Sequence, residues 1–201
     1  YSNKNLATPI DSDSCIRLAY IGRLDKKRGI MDIFELSDEL EKLNVNHHIS
    51  IAGEGDLSEK IKQESSKIGH VSFIGKISRD EIGEFLSGQH VGIMPMPDIP
   101  IWRIASPLKL SEYLSHGLAI VGPFHSGNTL SDTGPWEMLS TDTNWPKSCA
   151  EKLSSMNQYD WQNTRKSALS DSESLQWDVI GEKLCRDLRN LHSPSLSHSL
   201  D

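Results

Sequence analysis

IRLAYIGRLDKKRGIMDIFELSDELEKL, Ile16 to Leu43, holds one complete structural unit. Ile16 to Ile21 is short and almost entirely apolar, as a strand buried on both faces must be, and it stops at Gly22. From Gly29 to Leu43 the apolar residues Ile30, Ile33, Phe34, Leu40 and Leu43 fall at helical spacing. Between strand and helix stands GRLDKKRG, Gly22 to Gly29, which carries Arg23, Lys26, Lys27 and Arg28.

The same order then repeats. His48 to Ala52 reads as a second strand ending at Gly53-Glu54-Gly55, and Leu57 to Ile68 as a helix. Val71 to Ile74 is a third strand stopped by Gly75. Ser78, with Glu81 at capping-box spacing, opens a helix through Leu86. Val91 to Met94 is a fourth strand, ended by Pro95 and Pro97. SPLKLSEYLSHGLAIVG, Ser106 to Gly122, then supplies a helix and a fifth strand at Ala119 to Val121. Beyond it, residues 136–139 suggest an edge strand and 146–156 a helix. Residues 175–191 suggest a long closing helix striped by Trp177, Ile180, Leu184, Leu188 and Leu191.

Short apolar strands alternating with helices predict an α/β, doubly wound parallel sheet. Ligands of such sheets bind beyond the carboxyl ends of the strands. Chemistry is therefore expected in residues 22–29, 53–57, 75–78 and 95–107.

A chain of 201 residues suits one ordinary domain of this kind. The formal charge of −7 argues against a nucleic-acid binder. Three cysteines, Cys15, Cys149 and Cys185, lie far apart without a CxxC pair and read as free thiols of a reducing compartment. No apolar run approaches the roughly 18 residues of a membrane span. The polar opening Tyr1 to Asn5, without an initiator methionine, reads as part of a linker over residues 1–15 from a longer protein. The Ser/His-rich residues 192–201 read as a mobile tail.

The basic loop at the start of a helix is suited to an anion, because unpaired helix N–H groups and the guanidinium fork both favour phosphate oxygens. In the second helix, Ser106 is a good N-cap and Pro107 a favoured first residue. Lys109, Glu112 and His116 share one face. The helix start can receive a diphosphate, and Glu112, one turn further in, can accept both hydroxyls of a ribose. The plainer alternative is an exposed Lys109–Glu112 pair worth a few tenths of a kcal/mol. GEG at Gly53 to Gly55 is not GxGxxG, which counts against a nicotinamide dehydrogenase. The histidines show no metal-binding spacing. The tryptophans read as packing residues, except Trp102, which stands in the loop before the second helix.

Taken in order, YIGRLDKKRGI, IAGEGDLSEKI, VSFIGKISRDEIGEFLSGQHVGIMPM, SPLKLSEYLSHGLAIVG and SLQWDVIGEKL resemble the C-terminal, donor-binding half of a GT-B glycosyltransferase. The family is family 4, or glycosyl transferases group 1, in its SPLK-type subgroup. The resemblance implies a Rossmann-like half of a GT-B fold over residues 16–191, closed by a C-terminal helix. Its implied function is transfer, with retention, of a sugar from a UDP- or GDP-sugar to a glycan, lipid or other acceptor, as in polysaccharide biosynthesis.

The resemblance also implies roles. Arg23 and Arg28, with Lys27 as neighbour, hold the donor diphosphate. Ile74, Gly75 and Lys76 border the base. Ser106, Pro107, Leu108 and Lys109 form the diphosphate-binding helix start, and Glu112 holds the ribose. Ile104 replaces the glutamate that usually stands eight residues before Glu112, which leaves Asp98, Trp102 and Arg103 as candidates for the sugar contact. No catalytic residue, cofactor or obligatory metal is implied. The partners are the nucleotide diphosphate sugar, the acceptor and an N-terminal GT-B domain, without which this half alone is inactive. The implied setting is cytoplasmic, with any contact to the inner membrane surface made by that other domain. A nucleotide-sugar epimerase and a non-catalytic nucleotide-binding subunit are the alternatives.

Overall fold

Along β1 (Ile16–Ile21) side chains alternate between two cores, Leu18 and Tyr20 entering one, Ala19 and Ile21 the other. Both faces of the strand are thus covered, which is why its sequence is apolar except for the half-buried Arg17. The computed structural model describes residues 15–105, 108–129, 136–174 and 177–192.

After β1 come α1 (Asp32–Lys42), β2 (His47–Ala52), α2 (Ser58–Ser65), β3 (Val71–Gly75), α3 (Ile82–Ser87) and β4 (Val91–Ile93). Then follow α4 (Pro100–Arg103), α5 (Leu108–Ser115), β5 (Ala119–Pro123), β6 (Leu139–Ser140), α6 (Trp145–Ser155), α7 (Gln158–Ser174) and α8 (Trp177–His192). Among the described residues the sheet has six strands in the order β3-β2-β1-β4-β5-β6. Every pairing is parallel. This is the doubly wound, Rossmann-like sheet the sequence predicts. One core takes in Ile33 and Leu36 of α1, Ile61 of α2 and Cys149 and Leu153 of α6; the other takes in Leu86 of α3, Leu110 and Leu114 of α5 and Ala168 of α7.

Several details depart from expectation. Helix α1 begins at Asp32 rather than Gly29, because Lys26–Arg28 form a 3-10 turn ended by Gly29 at φ 68°. A Cβ at Gly29 would also strike the Pro95 carbonyl. Half of the capping box at Ser78 forms, Glu81 Oε2 accepting from the Ser78 N–H at 2.7 Å, but regular helix starts only at Ile82. The edge strand is shifted to Leu139–Ser140, while Trp136 and Met138 turn into the core. Helix α7 has no counterpart in the sequence reading. In the closing helix, α8, Ile180, Leu184 and Leu188 remain exposed instead of packing on the sheet. Residues 1–14 of the expected linker and 193–201 of the expected tail lie outside the described residues, as do Ser106 and Pro107. No described helix is long and apolar enough to cross a membrane.

The carboxyl edge of the sheet is built by close backbone contacts. Gly22 and Gly53 have φ 144° and 148°, a conformation residues with a Cβ rarely adopt. A Cβ on Gly53 would overlap the Gly22 carbonyl, and one on Gly22 would come within 2.6 Å of Lys109 Nζ. Gly22 N–H donates to Ala52 O at 3.0 Å and Gly53 N–H to Gly75 O at 2.8 Å. Main chain, not side chains, therefore floors this edge.

Candidate functional site

The sheet order reverses at β1: the chain runs outward to β2 and β3, then returns to β4 on the other side of β1. The crevice beyond the carboxyl ends of the strands at such a reversal is the usual ligand position in sheets of this kind. The basic segment 22–29 follows β1, and residues 94–107 follow β4.

Tyr20, near the end of β1, organises the crevice. Its hydroxyl donates to Arg23 O at 2.7 Å, and Lys109 Nζ donates to that hydroxyl at 3.3 Å. Lys109 Nζ also lies 4.5 Å from the Tyr20 ring centroid, a cation–π contact. Lys109 is half-buried here. Burial first, and the neighbouring Arg28 charge second, push its amine down to about 7, against the opposing pull of Glu112. Helix α5 is anchored to β1 one turn later, where Tyr113 Oη accepts from Ile21 N–H at 3.0 Å.

Asp25 sits between the two arginines of the loop. Arg23 donates to both its oxygens, at 3.1 and 3.2 Å, and Arg28 Nε lies 3.5 Å from Oδ2. The Arg23 hydrogen bonds hold the Asp25 carboxyl below its ordinary range. The second loop is tied to the first by main-chain bonds, Leu24 N–H to Glu54 O at 3.0 Å and Leu57 N–H to Leu24 O at 2.9 Å. Across the crevice, Trp102 Nε1 donates to Lys27 O at 2.9 Å, and the Arg28 guanidinium lies 4.9 Å from its ring centroid.

The structure therefore brings Arg28 and Lys109 together at Tyr20, while Arg23 reaches this point through its carbonyl and, by its exposed side chain, pairs with Asp25. The Lys27 side chain is exposed, and its carbonyl is what the site uses. The exposed Lys109–Glu112 pair suggested by spacing is not formed, because Lys109 turns to Tyr20. Among the described residues no hydrogen bond or ion pair reaches the Glu112 carboxylate. Ile74, Gly75 and Lys76 lie at the same edge but at the end of β3, two strands from β1; Ile74 is 46% exposed and Lys76 pairs with Glu54 at 2.7 Å. Leu108 and Ile104 are strongly exposed, and Asp98 and Arg103 are paired with each other at 2.5 Å. Sequence reasoning misses Tyr20 and Asp25. Asp25 was visible as the one acid inside GRLDKKRG, whereas nothing local marks Tyr20.

The model of a family described as glycosyl transferases group 1 matches residues 15–158. The chain belongs to that family. No curated protein matches it. Among solved structures, the chain is similar to the catalytic domain of cholesterol-alpha-glucosyltransferase from Helicobacter pylori, with TM-score 0.63 and 17% identity over 81% of this chain and 100% of that one. It is similar to the pneumococcal O-GlcNAc transferase GtfA in complex with UDP and GlcNAc, with TM-score 0.64 and 16% identity over 94% of this chain and 39% of that one. It is also similar to Anabaena Alr3699/HepE in complex with UDP and glucose, with TM-score 0.66 and 15% identity over 88% and 48%. The chain thus spans less than half the length of the last two. At these identities the likeness establishes the fold, the Rossmann-like part of a GT-B protein.

Proposed function

We propose that this domain is the donor-binding, C-terminal half of a retaining GT-B glycosyltransferase of the SPLK type, and that its crevice takes the diphosphate of a UDP- or GDP-sugar. The observation that carries this reading is the meeting of Arg28 and Lys109 at the sheet's switch point, with Arg23 linked to Arg28 through Asp25. A helix start such as that of α5 favours an anion through its N–H groups and dipole. As the sugar leaves, negative charge grows on the diphosphate, and cations already in place lower that barrier without having to reorganise. In this reading the chain's own cations supply the charge, and no metal is required. Glu112 accepts the ribose hydroxyls and the turn at Ile74 to Lys76 borders the base. An N-terminal GT-B domain brings the acceptor, a glycan or lipid, on the cytoplasmic side. That GtfA and HepE hold UDP supports the nucleotide class.

Calorimetry of the protein with UDP and GDP tests the reading. One of them should bind with a Kd between millimolar and micromolar, about −4 to −8 kcal/mol. Arg23→Ala should weaken the diphosphate roughly tenfold or more and the free nucleoside hardly at all, because the lost partner is phosphate. Equal weakening of both would assign Arg23 to the fold.

Glu112→Gln separates a ribose acceptor from a bystander. A ribonucleoside diphosphate should lose about 1–2 kcal/mol, and its 2′-deoxy analogue less, since one donor is already gone. The melting temperature should hardly move, because among the described residues no hydrogen bond or ion pair of the carboxylate is removed. Unchanged binding of both nucleotides would remove Glu112 from the site.

A further inference from the structure

Trp102 joins the two walls of the crevice. Its indole N–H donates to Lys27 O and its ring lies against the Arg28 guanidinium, so one side chain on α4 meets two consecutive residues of the basic loop. Arg28 itself is poorly held by polar contacts. Among the described residues its Nε is buried without a hydrogen-bond partner, and Asp25, an ion-pair neighbour at 3.5 Å, already accepts two bonds from Arg23.

The backbone that carries Trp102 is braced from behind. A Cβ on Gly127 would overlap Trp102 O, so this loop packs directly on α4. Ser126 Oγ donates to Arg103 O at 2.6 Å, and Asn128 Nδ2 donates to Met94 O at 3.1 Å and to Pro123 O at 2.9 Å. His125 Nε2 lies 2.9 Å from Met96 O. The indole is thus fixed at both its ring and its main chain, while Arg28 is fixed chiefly by the indole.

We propose that Trp102 is a positioning residue for Arg28, holding the guanidinium plane so that its terminal N–H groups meet a diphosphate in one orientation. This rests on the donor-site reading. A loose arginine loses rotamer freedom when it grips an anion, and that loss subtracts from affinity. Held over an indole, the side chain has given up part of that freedom before the ligand arrives. The flat guanidinium suits the arrangement in a way an ammonium does not.

The test is a double-mutant cycle read by titration with UDP and with uridine, using the full chain. Trp102→Leu should weaken UDP about three- to tenfold and leave uridine within about twofold. Trp102→Phe keeps an aromatic face and should keep most of the affinity. In an Arg28→Ala background, Trp102→Leu should change UDP binding little, since there is nothing left to position. An undiminished effect in that background, equal weakening of uridine, or no effect on UDP in the parent background would overturn the proposal. Side-chain NMR of the arginine-labelled parent needs no variant: Arg28 resonances should be shifted by the indole ring current, and unshifted resonances would also overturn it. A parent that binds neither UDP nor GDP rejects the donor-site reading and the proposal with it; a parent that binds, with no change in Trp102→Leu, rejects the proposal alone.

Discussion

Lys109→Met should cost about 1.5–3 kcal/mol of UDP affinity, the range for hydrogen bonds to a charged group, without lowering the melting temperature. The amine occupies a slot between Tyr20 and Gly22 that an apolar chain of similar length can fill. The pH dependence sharpens the test. The folded amine titrates at about 7 against an ordinary value of 10.5. Below pH about 7 folded and unfolded chains both carry the proton, and the cost of half-burying the charge beside Arg28 is felt in full. Between those values the unfolded chain binds a proton that the folded one has released, so stability rises with pH. Lys109→Met should abolish that rise.

Ligand binding runs the other way. A bound diphosphate favours the ammonium, as Glu112 already does, so the parent's UDP affinity should fall as pH climbs from 7 to 9. The ligand's terminal phosphate has lost its last proton near about pH 6 and does not contribute there. In Lys109→Met the profile should be flat. A parent profile that is already flat would mean that Lys109 does not meet the phosphates.

Gly92→Ala should lower the stability of the domain by about 1–3 kcal/mol, which for a domain of this size is roughly 2–12 °C in melting temperature. Gly92 lies in the centre of β4, and an added Cβ would overlap the ring carbons of Tyr113. That ring is fully buried and cannot swing aside, because its hydroxyl satisfies Ile21 N–H at 3.0 Å. The strain falls on α5, the helix that also carries Lys109 and Glu112. Pairing Gly92→Ala with Tyr113→Leu should recover part of the loss, since the smaller side chain vacates the contested volume. A melting temperature within a degree of the parent would show that the strand and helix can separate freely.

The first five strands were legible because each is a short, mostly apolar run closed by glycine or proline, and that pattern depends only on neighbours in sequence; β6, Leu139–Ser140, has neither mark. Helix α7 was not legible. Its apolar residues, such as Trp161, Ala168 and Leu169, are too sparse among polar ones to mark a face, and its place against α5 is fixed by tertiary packing. In the site, the basic loop was visible as charge, and so was the start of α5. What spacing could not give is the pairing. Lys109 and Glu112 are three apart and looked like partners, yet Tyr20, 89 residues away in sequence, offers the amine both a hydroxyl and a ring. The hydrogen bonding of Asp25 to Arg23, with Arg28 at a longer 3.5 Å, is similarly a matter of loop shape, set by the 3-10 turn that the helix-spacing pattern concealed.

The glycines that close β1 and β2 have a thermodynamic consequence. A surface made of side chains must surrender rotational freedom when something settles on it, and each long side chain so immobilised takes about 0.5–1.5 kcal/mol from the binding energy. Main chain locked in a parallel sheet has no such freedom left to lose. At Gly22 and Gly53 the floor is of that kind, its amides already bonded to the neighbouring strands. The entropy of occupation is therefore confined to the few basic side chains above it, and those are the residues through which affinity can be tuned while the floor stays the same.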